Sequence, residues 1–407
     1  SLKTYPSNND LRYGSAMAEA YRSWDLRGRG WMVWDFAVDL EPPFDNIKVV
    51  IAPNLPVRDD ARITRGSGQR QLHSPATLAS VRDLQKAAIP QTFYRTENIS
   101  EIRILPSDGL DVSPAMVSQF VLSLSSCRTP VAFELIADSE QVVAQMACDE
   151  SFSHSLQSQL KAFFPGIVTV EARNHLASLP SDRLPTVVAD FGLANSFLWP
   201  LMTFRSFSPD PLTGLITSMA CLQKGETVVY QVLFQRTQVR WADEIQRIRS
   251  DPSAPEIFRE SSQAVKEKLA SPLFAVTVRL AVQSGSLDRG WSIIRTLGGN
   301  LSPFSNPSRN ELIALNNDAL PVGNHVLSFK SRTSYRSGML LNAEELTGLA
   351  HIPSENVRAE RLLRSSARTK EASPSAATGT LVLGANCHNG RQNVVRLSAD
   401  QRLKHMH

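Results

Sequence analysis

Residues 113–172 decide the fold of this chain, and they read SPAMVSQFVLSLSSCRTPVAFELIADSEQVVAQMACDESFSHSLQSQLKAFFPGIVTVEA. Ser113-Pro114 predicts the start of a helix, because proline suits the first helical position. Apolar residues then recur at helical spacing up to Leu124. Further elements are predicted in this order: a strand over 131–137, a strand over 141–147, a helix over 152–164 that ends at Pro165-Gly166, and a strand over 167–172.

The same order of elements recurs between residues 211 and 315, without similarity of the residues themselves. We interpret the recurrence as a structural duplication of a two-layer αββαβ unit, with helices on one face of an antiparallel sheet as in ferredoxin-like folds. The predicted class is α+β: tandem ferredoxin-like units with a helical insert, an N-terminal β region and a small C-terminal β module. The second set of elements is a helix over 211–222, strands over 227–236 and 273–283, a helix over 287–297 and a strand over 310–315.

The second unit is interrupted by an insert, residues 238–270, in which two helices are predicted. A helical hairpin that projects from a sheet is a natural place for contact with a partner or a neighbouring subunit. Lys266-Glu267-Lys268 is interpreted as a solvated face of this insert. The predicted domains are 1–107 (N-terminal β-rich region), 108–186 (first α+β unit), 187–330 (second α+β unit) and 331–407 (short helix, linker and hairpin).

The N-terminal region carries a predicted strand over 31–40, a second over 47–52 and a mobile surface loop over 57–75. The loop holds four arginines around Gly66-Ser67-Gly68, but it lacks the Gly-Lys-Ser/Thr of a phosphate loop. Contact with DNA is the alternative to a plain surface loop. Together with the basic C-terminal tail, these arginines give the candidate nucleic-acid contacts: Arg58, Arg62, Arg65, Arg70, Arg402 and Lys404.

The C-terminal module is predicted to contain a short helix, a linker and a β-hairpin. Asn342 and Glu345 have the spacing of a capping box. Two strands, 380–383 and 393–397, flank Asn389-Gly390, a dipeptide that favours a hairpin turn. By residue type alone, this region is a small β module with a basic exit.

About 25 residues of the hairpin and tail carry a resemblance to a known family: Gly384, Asn386, His388, Gly390, the strand Val394-Val395-Arg396-Leu397, Arg402 and His405. They resemble the segment before the nucleotide-binding strand of HerA/FtsK-type DNA-translocating ATPases, which include the related ATPases of conjugation and type IV secretion. In that family an apolar strand and a phosphate loop ending in Gly-Lys-Ser/Thr follow, and the sequence here ends before such a loop.

The resemblance implies an N-terminal region for assembly, partner docking and DNA intake in a hexameric, ATP-driven translocase. ATP and Mg would then belong to a following domain, and no cofactor is expected in this chain. The expected partners are further copies of the chain, DNA and an effector such as a nuclease, as in bacterial antiphage defence, and the expected location is the cytoplasm. The alternative is a non-enzymatic module that binds protein and recruits an effector.

The composition and the absence of known motifs argue against a membrane span, a disulfide framework and a catalytic or metal site. The chain is 42% hydrophobic and 20% charged, as in ordinary globular proteins, and it has no apolar run long enough for a membrane span. The four cysteines are widely spaced, so buried free thiols are expected. The eight histidines are mostly scattered, and the cluster of His388, His405 and His407 beside Cys387 lacks the spacing of a known zinc site. We therefore predict no catalytic, cofactor-binding or metal-binding residue, and an independent hydrolase is the least favoured alternative.

Overall fold

The computed structural model describes residues 25–44, 98–172, 176, 184–250, 263–306, 308–317, 322–365, 372–388, 391–400 and 402. Within these residues the chain forms one large antiparallel sheet with helices packed on it, which confirms the predicted α+β class. Two smaller two-stranded sheets accompany it. None of the described helices combines the length and the apolar character needed to span a membrane.

The secondary structure of the described residues is as follows. The strands are β1 (Val33–Val38), β2 (Ile99–Pro106), β3 (Val131–Ala137), β4 (Val142–Asp149), β5 (Ile167–Ala172), β6 (Thr186–Leu193), β7 (Thr227–Arg236), β8 (Leu273–Gln283), β9 (Leu312–Ala314), β10 (Ser334–Arg336), β11 (Met339–Asn342), β12 (Leu381–His388) and β13 (Arg391–Leu397). The helices are α1 (Pro114–Ser123), α2 (Glu150–Phe163), α3 (Thr213–Met219), α4 (Trp241–Arg249), α5 (Gln263–Leu269), α6 (Leu287–Gly299), α7 (Val322–Lys330) and α8 (Ala343–Leu349).

The large sheet has the strand order β5-β2-β4-β3-β7-β8-β6-β9, and β11 also pairs with β8. All of these pairings are antiparallel. The pairing of β3 with β7 joins two halves of the sheet. The first half holds the strands β2 to β5, and the second holds β6 to β9. When the strands of each half are numbered in chain order and read from the outer edge to the junction, both halves have the order fourth, first, third, second. β2 falls before the boundary drawn from the sequence at residue 107, yet it pairs with β4 and β5.

One face of the sheet is apolar and covered by most of the helices. The start of α1 is as predicted: the Ser113 side chain accepts a hydrogen bond from Met116 N at 3.2 Å, and Pro114 follows. Phe120 of α1 packs against Phe163 and Phe164, with ring centroids 5.9 and 5.2 Å apart. Burying such a ring contributes about 2–3 kcal/mol, so these contacts fix α1 and α2 beside each other on the sheet.

The capping box at α8 is confirmed. Asn342 Oδ1 accepts a hydrogen bond from Glu345 N at 3.0 Å, and Glu345 Oε2 accepts one from Asn342 N at 2.8 Å. α8 is buried along most of its length and contacts α1. The C-terminal residues thus return to the helical layer over the first half of the sheet.

The described parts of the insert, residues 238–250 and 263–270, pack on the core instead of standing as a solvated projection. Trp241 and Ile245 of α4 are buried. The interpretation of Lys268 as part of a solvated face is wrong: its side chain is fully buried, with Nζ 2.5 Å from Glu345 Oε2 and 2.9 Å from Leu340 O. Lys268 lies one helical turn beyond the buried residue Ala264, which places both on the inner face of α5.

The opposite face of the sheet is covered by α7 and by the N-terminal segment 25–44. Phe329 of α7 packs on Ile136 and Val229, and Leu40 packs on Ala132 and Leu233. The predicted strand over 31–40 is confirmed as β1, which pairs with β10. The predicted strand over 47–52 and the loop over 57–75 lie outside the described residues.

Candidate functional site

A row of six polar side chains crosses the face of the sheet that lies under α7. Cross-strand pairing sets them side by side on six neighbouring strands, and we call them the polar row. Their neighbours along each strand, such as Phe133 and Leu135 beside Glu134, point to the opposite, helix-covered face. The members, in spatial order, are Arg103, Gln145, Glu134, Gln231, Arg279 and Asp190.

Arg332, in the turn after α7, is held over the polar row. Its Nε and Nη2 donate to Glu134 Oε1 and Oε2, both at 2.9 Å, and Nη2 also donates to Glu101 Oε1 at 2.6 Å. Arg332 has a φ of +54°, in the left-handed region that non-glycine residues rarely adopt. The two carboxylates bonded to Arg332 hold the residue in this uncommon backbone conformation.

Glu134 is the most completely bonded carboxylate of the row. Besides Arg332 it accepts hydrogen bonds from the amides of Gln145, at 2.6 Å, and Gln231, at 2.7 Å. Burial by itself would raise the pKa of Glu134, but the charge of Arg332 and these hydrogen bonds outweigh burial and lower it. Glu134 is therefore ionised inside the protein.

The other end of the row is organised around Asp190. Its Oδ2 lies 3.1 Å from His325 Nε2 and 3.3 Å from Arg336 Nε. Burial opposes ionisation, but His325, Arg336 and Arg279 together lower the pKa of Asp190. Arg279 in turn donates to Ser328 Oγ at 3.3 Å and to Thr333 O at 2.8 Å. These bonds attach α7 and the turn that follows it to the second half of the sheet.

The polar row has the chemistry of a structural attachment. The charged groups of Glu134, Arg279 and Asp190 are buried and bonded, and the cavity next to Arg332 has a volume of about 20 Å³, enough for a single water. Buried ion pairs add little net stability, but they select one arrangement of the groups they join. The sequence held a signal that we did not use: single charged residues interrupt otherwise apolar strands at Glu134, Asp190 and Arg279.

A second buried cluster combines an aspartate, a histidine and a serine, but not in the order of a catalytic triad. Asp210 lies at its centre, 3.0 Å from His351 Nε2 and 2.9 Å from Ser354 Oγ. His351 Nδ1 contacts Thr347 O at 2.8 Å, and the ring stacks on Phe204. Because Asp210 separates the hydroxyl from the imidazole, the histidine cannot activate the serine. The cluster joins the loop before α3 to the end of α8.

The C-terminal hairpin, β12 and β13, forms a sheet of its own. The two strands pair from Leu381 opposite Leu397 to His388 opposite Arg391, with an irregularity between Val382 and Gly384. The predicted strands, 380–383 and 393–397, are confirmed and extend further. The residues of the turn, Asn389-Gly390, lie outside the described residues.

The hairpin exposes apolar side chains. A contiguous exposed apolar patch commonly marks a surface that another domain or partner covers. A smaller exposed pair, Leu287 and Trp291, lies one helical turn apart on α6, 56% and 42% exposed. The exposed fractions on the hairpin are 42% for Leu381, 54% for Val382, 59% for Leu383 and 44% for Val394.

The structure places one of the six candidate nucleic-acid contacts. Arg402 is exposed, and its backbone N–H bonds to Ser398 O at 3.1 Å. The other five lie outside the described residues, so the structure does not bring the set together: Arg58, Arg62, Arg65, Arg70 and Lys404.

The cysteines agree in part with the expectation of buried thiols. Cys127 and Cys148 are buried and free, and burial raises the pKa of Cys148 to about 12. Cys221 is free but exposed, so the expectation is wrong for this residue, which lies just beyond the end of α3. Among the described residues, no group of three or more His, Cys, Asp or Glu side chains is placed to hold a metal ion.

Comparison with known proteins identifies one sequence family over part of the chain. Residues 113–257 match a family described as a domain of unknown function (DUF8128), a range that covers the first unit from α1 to β5, without β2, and part of the second. No curated protein matches the sequence.

Three solved structures share a remote likeness with the chain. A chitooligosaccharide oxidase has 10% identity and a TM-score of 0.29, over 67% of this chain and 56% of its own. Berberine bridge enzyme in complex with (S)-reticuline has 9% identity and a TM-score of 0.27, over 54% and 43%. Glycopeptide hexose oxidase complexed with teicoplanin has 11% identity and a TM-score of 0.26, over 69% and 57%. The chain spans about half the length of these proteins, and likenesses at such scores carry no argument about its activity.

Proposed function

We propose that this chain is the N-terminal region of a hexameric, ATP-driven DNA translocase, responsible for assembly, partner docking and DNA intake. The observation that carries the proposal is the hairpin of β12 and β13. Of the residues that resemble the HerA/FtsK-type segment, Gly384, Asn386, His388 and 394–397 lie on these two paired strands. The hairpin also exposes apolar side chains, at Leu381, Val382, Leu383 and Val394. A following ATPase domain, holding ATP and Mg, would cover that surface.

We further propose that the two halves of the sheet are ferredoxin-like units related by duplication. Both have the same spatial strand order, with helices on one face. The polar row adds independent support, because Glu134 pairs with Gln231 at the junction and their neighbours, Gln145 and Arg279, occupy equivalent strands. A duplicated unit of this kind gives a broad, rigid platform for contacts between subunits.

The distribution of charge fits contact with DNA. Residues 330–407 hold 12 Lys and Arg against 6 Asp and Glu, a net charge of +6, whereas the whole chain has a net charge of +4. Arg332 and Arg336 of this range are buried in ion pairs of the sheet, so the contact would come from the others, such as the exposed Arg402. A basic C-terminal end beside a DNA channel would bind phosphates, and its affinity would fall steeply with salt. An effector such as a nuclease, in bacterial antiphage defence, would occupy a separate surface.

The decisive experiment follows the gene beyond the codon for His407. The proposal expects an apolar strand and a phosphate loop ending in Gly-Lys-Ser/Thr directly after the hairpin. The full-length protein should then form a hexamer and hydrolyse ATP faster when duplex DNA is added. Absence of the phosphate loop overturns the proposal, and so does an ATPase rate that DNA does not change.

A protein-interaction module without enzymatic activity is the second candidate. The exposed pair Leu287 and Trp291 on α6 favours it, because large apolar side chains at a helix surface suit a protein partner. Under this alternative, a protein partner is retained at high salt and the chain causes no shift of duplex DNA. Under the translocase proposal, DNA is bound at low salt and released as salt rises.

A further inference from the structure

The large sheet has an outer edge at β5, which pairs with β2 and with no other strand of the described residues. The six residues of β5 read IVTVEA, without a proline or a lysine, and they pair with β2 in a continuous register. Proline, lysine and bulges are the features by which many sheets prevent a further strand from pairing at an edge. β5 lacks all three, so its edge is regular enough for another strand to add.

The pairing with β2 shows which backbone groups of β5 face the open edge. Ser107 N donates to Gly166 O at 2.9 Å, so residues 166, 168, 170 and 172 form the hydrogen-bonded pairs with β2. The backbone N–H and C=O groups of Thr169 and Glu171 therefore point away from β2. Within the described part of the chain, these four groups have no hydrogen-bond partner.

Arg103, at the β5 end of the polar row, has no carboxylate partner. It lies on β2 opposite Val170 and is half-buried, and no hydrogen bond or ion pair joins its guanidinium to another described residue. The carboxylate two residues away on the same face, Glu101, is bonded to Arg332 instead. Only Nε of Arg103 is enclosed without a partner, so the two Nη atoms remain accessible to solvent. The charge of Arg103 is thus available to a group from outside.

The position of Arg103 defines the chemistry of a strand that would add to β5. Val170 lies between Arg103 and the open edge on the same face of the sheet, and it is 38% exposed. A residue of the added strand opposite Val170 would be about 10 Å from Arg103, two strand spacings of ~4.8 Å. The stem of an arginine packs along apolar surface while its charged end reaches further. An Asp or Glu at this position would pair with the free charge, and a Lys or Arg would be repelled.

We propose that the edge of β5 binds an extended segment of a partner protein, with an Asp or Glu opposite Val170 and apolar residues two positions to either side. Backbone hydrogen bonds hold the segment, and the pair with Arg103 selects its sequence. The apolar positions lie beside Val168 and Ala172, which share the face of Val170.

A second copy of this chain does not supply such a segment. The short edge strand β9 and the exposed hairpin strands β12 and β13 contain no Asp or Glu. Glu171 of β5 itself lies on the opposite face, where its Oε1 accepts a hydrogen bond from Gln157 of α2 at 2.6 Å. The inference holds under either candidate function, because it rests only on the edge of β5 and on Arg103.

The test measures binding of labelled peptides to the complete chain by fluorescence anisotropy. The first peptide is Thr-Val-Thr-Glu-Thr-Val-Thr, and two matched peptides carry Gln or Lys in place of Glu. The Glu peptide is expected to bind at least about tenfold more tightly than the Gln peptide, and the Lys peptide is expected to bind most weakly. Equal affinity of the Glu and Gln peptides overturns the proposal, and so does the absence of binding up to about 1 mM protein.

Variants of the chain locate the binding. Arg103→Gln should abolish the preference for Glu over Gln, whereas Arg128→Gln, at an exposed arginine before β3, should keep it. Glu171→Pro removes an outward N–H and should weaken binding of the Glu peptide about tenfold, while Glu171→Ala retains that N–H and should leave binding unchanged.

Three outcomes contradict the assignment. The first is a preference for Glu that survives Arg103→Gln, and the second is equal binding by Glu171→Pro and Glu171→Ala. The third is self-association of the unaltered chain, measured by sedimentation, that Glu171→Pro abolishes. That result would assign the edge of β5 to a second copy of the chain.

Discussion

Arg332 binds both oxygens of Glu134, at 2.9 Å each, from a backbone with a φ of +54°. The two residues are 198 positions apart in the chain, and neither is exposed to solvent in any substantial degree. This pair joins the turn after α7 to the centre of the large sheet. It shows that the covering layer is positioned by ionic contacts and not by apolar packing alone.

Replacing Arg332 should therefore destabilise the fold strongly. Arg332→Ala leaves Glu134 charged and buried, and we expect the free energy of unfolding to fall by about 3–5 kcal/mol. Denaturant unfolding followed by tryptophan fluorescence measures the change. Arg289→Ala is the control, since the pair of Arg289 with Glu226 is partly exposed and should cost at most about 1 kcal/mol. A loss for Arg332→Ala as small as that of the control would contradict a central role for the pair.

Lys268 gives a second test, at the inner face of α5. Lys268→Met removes the partner of the fully buried Glu345, and we expect a loss of about 3 kcal/mol in the free energy of unfolding. Lys266→Met is two residues away on the exposed face and should change it by less than about 0.5 kcal/mol. Similar effects of the two substitutions would contradict the burial of Lys268 and would support the solvated face that the sequence suggested.

The cluster around Asp210 should make the free energy of unfolding depend on pH in the acid range. His351 and Ser354 lower the pKa of Asp210 from 3.8 to about 2, against the effect of burial. A carboxyl whose pKa is lowered by folding adds stability above its unfolded pKa and loses it as the pH falls towards its folded pKa. The contribution of ionised Asp210 to the free energy of unfolding should thus be complete at pH 6 and about 1 kcal/mol smaller at pH 3. At still lower pH the whole contribution, about 2 kcal/mol, should be lost.

Urea unfolding between pH 6 and pH 3 checks this dependence. The difference in unfolding free energy between the unaltered protein and Asp210→Asn should shrink by about 1 kcal/mol over that range. Asp243→Asn, at an exposed site, should show no such change. A difference that stays constant with pH would mean that Asp210 is not ionised through its bonds to His351 and Ser354.

A substitution on the exposed surface of the hairpin is expected to change function without changing the stability of the fold. Leu383 is 59% exposed, so Leu383→Asp should change the unfolding free energy of this chain by less than about 0.5 kcal/mol. Under the proposed translocase role, Leu383→Asp in the full-length protein is expected to lower the DNA-stimulated ATPase rate, because a charge would disrupt the proposed apolar contact with a following ATPase domain. Gln392→Asp, at an exposed polar position on β13, is the matched control. An unchanged rate in Leu383→Asp would contradict the proposed contact between this surface and a following ATPase domain.

The secondary structure was largely readable from local patterns. The helix start at Ser113-Pro114, the capping box of Asn342 and Glu345 and the alternating strands depend on residues a few positions apart, so the sequence predicts them directly. The burial of Lys268 was not readable, because α5 also carries Lys266 and Glu267, and local charge alone favours a solvated helix.

The sequence by itself determined the order of elements from α1 to β5, the α+β class and the pairing of the C-terminal hairpin, because short-range propensity, capping and turn chemistry govern these features. It did not predict β2, α7, β10 or β11. Only the tertiary structure decided the polar row, whose members come from six strands far apart in the chain. The same holds for the position of Arg103 beside Val170, which follows from the pairing of β2 with β5 at the edge of the sheet. Such contacts depend on strand register and on long-range packing, and no local pattern specifies either of them.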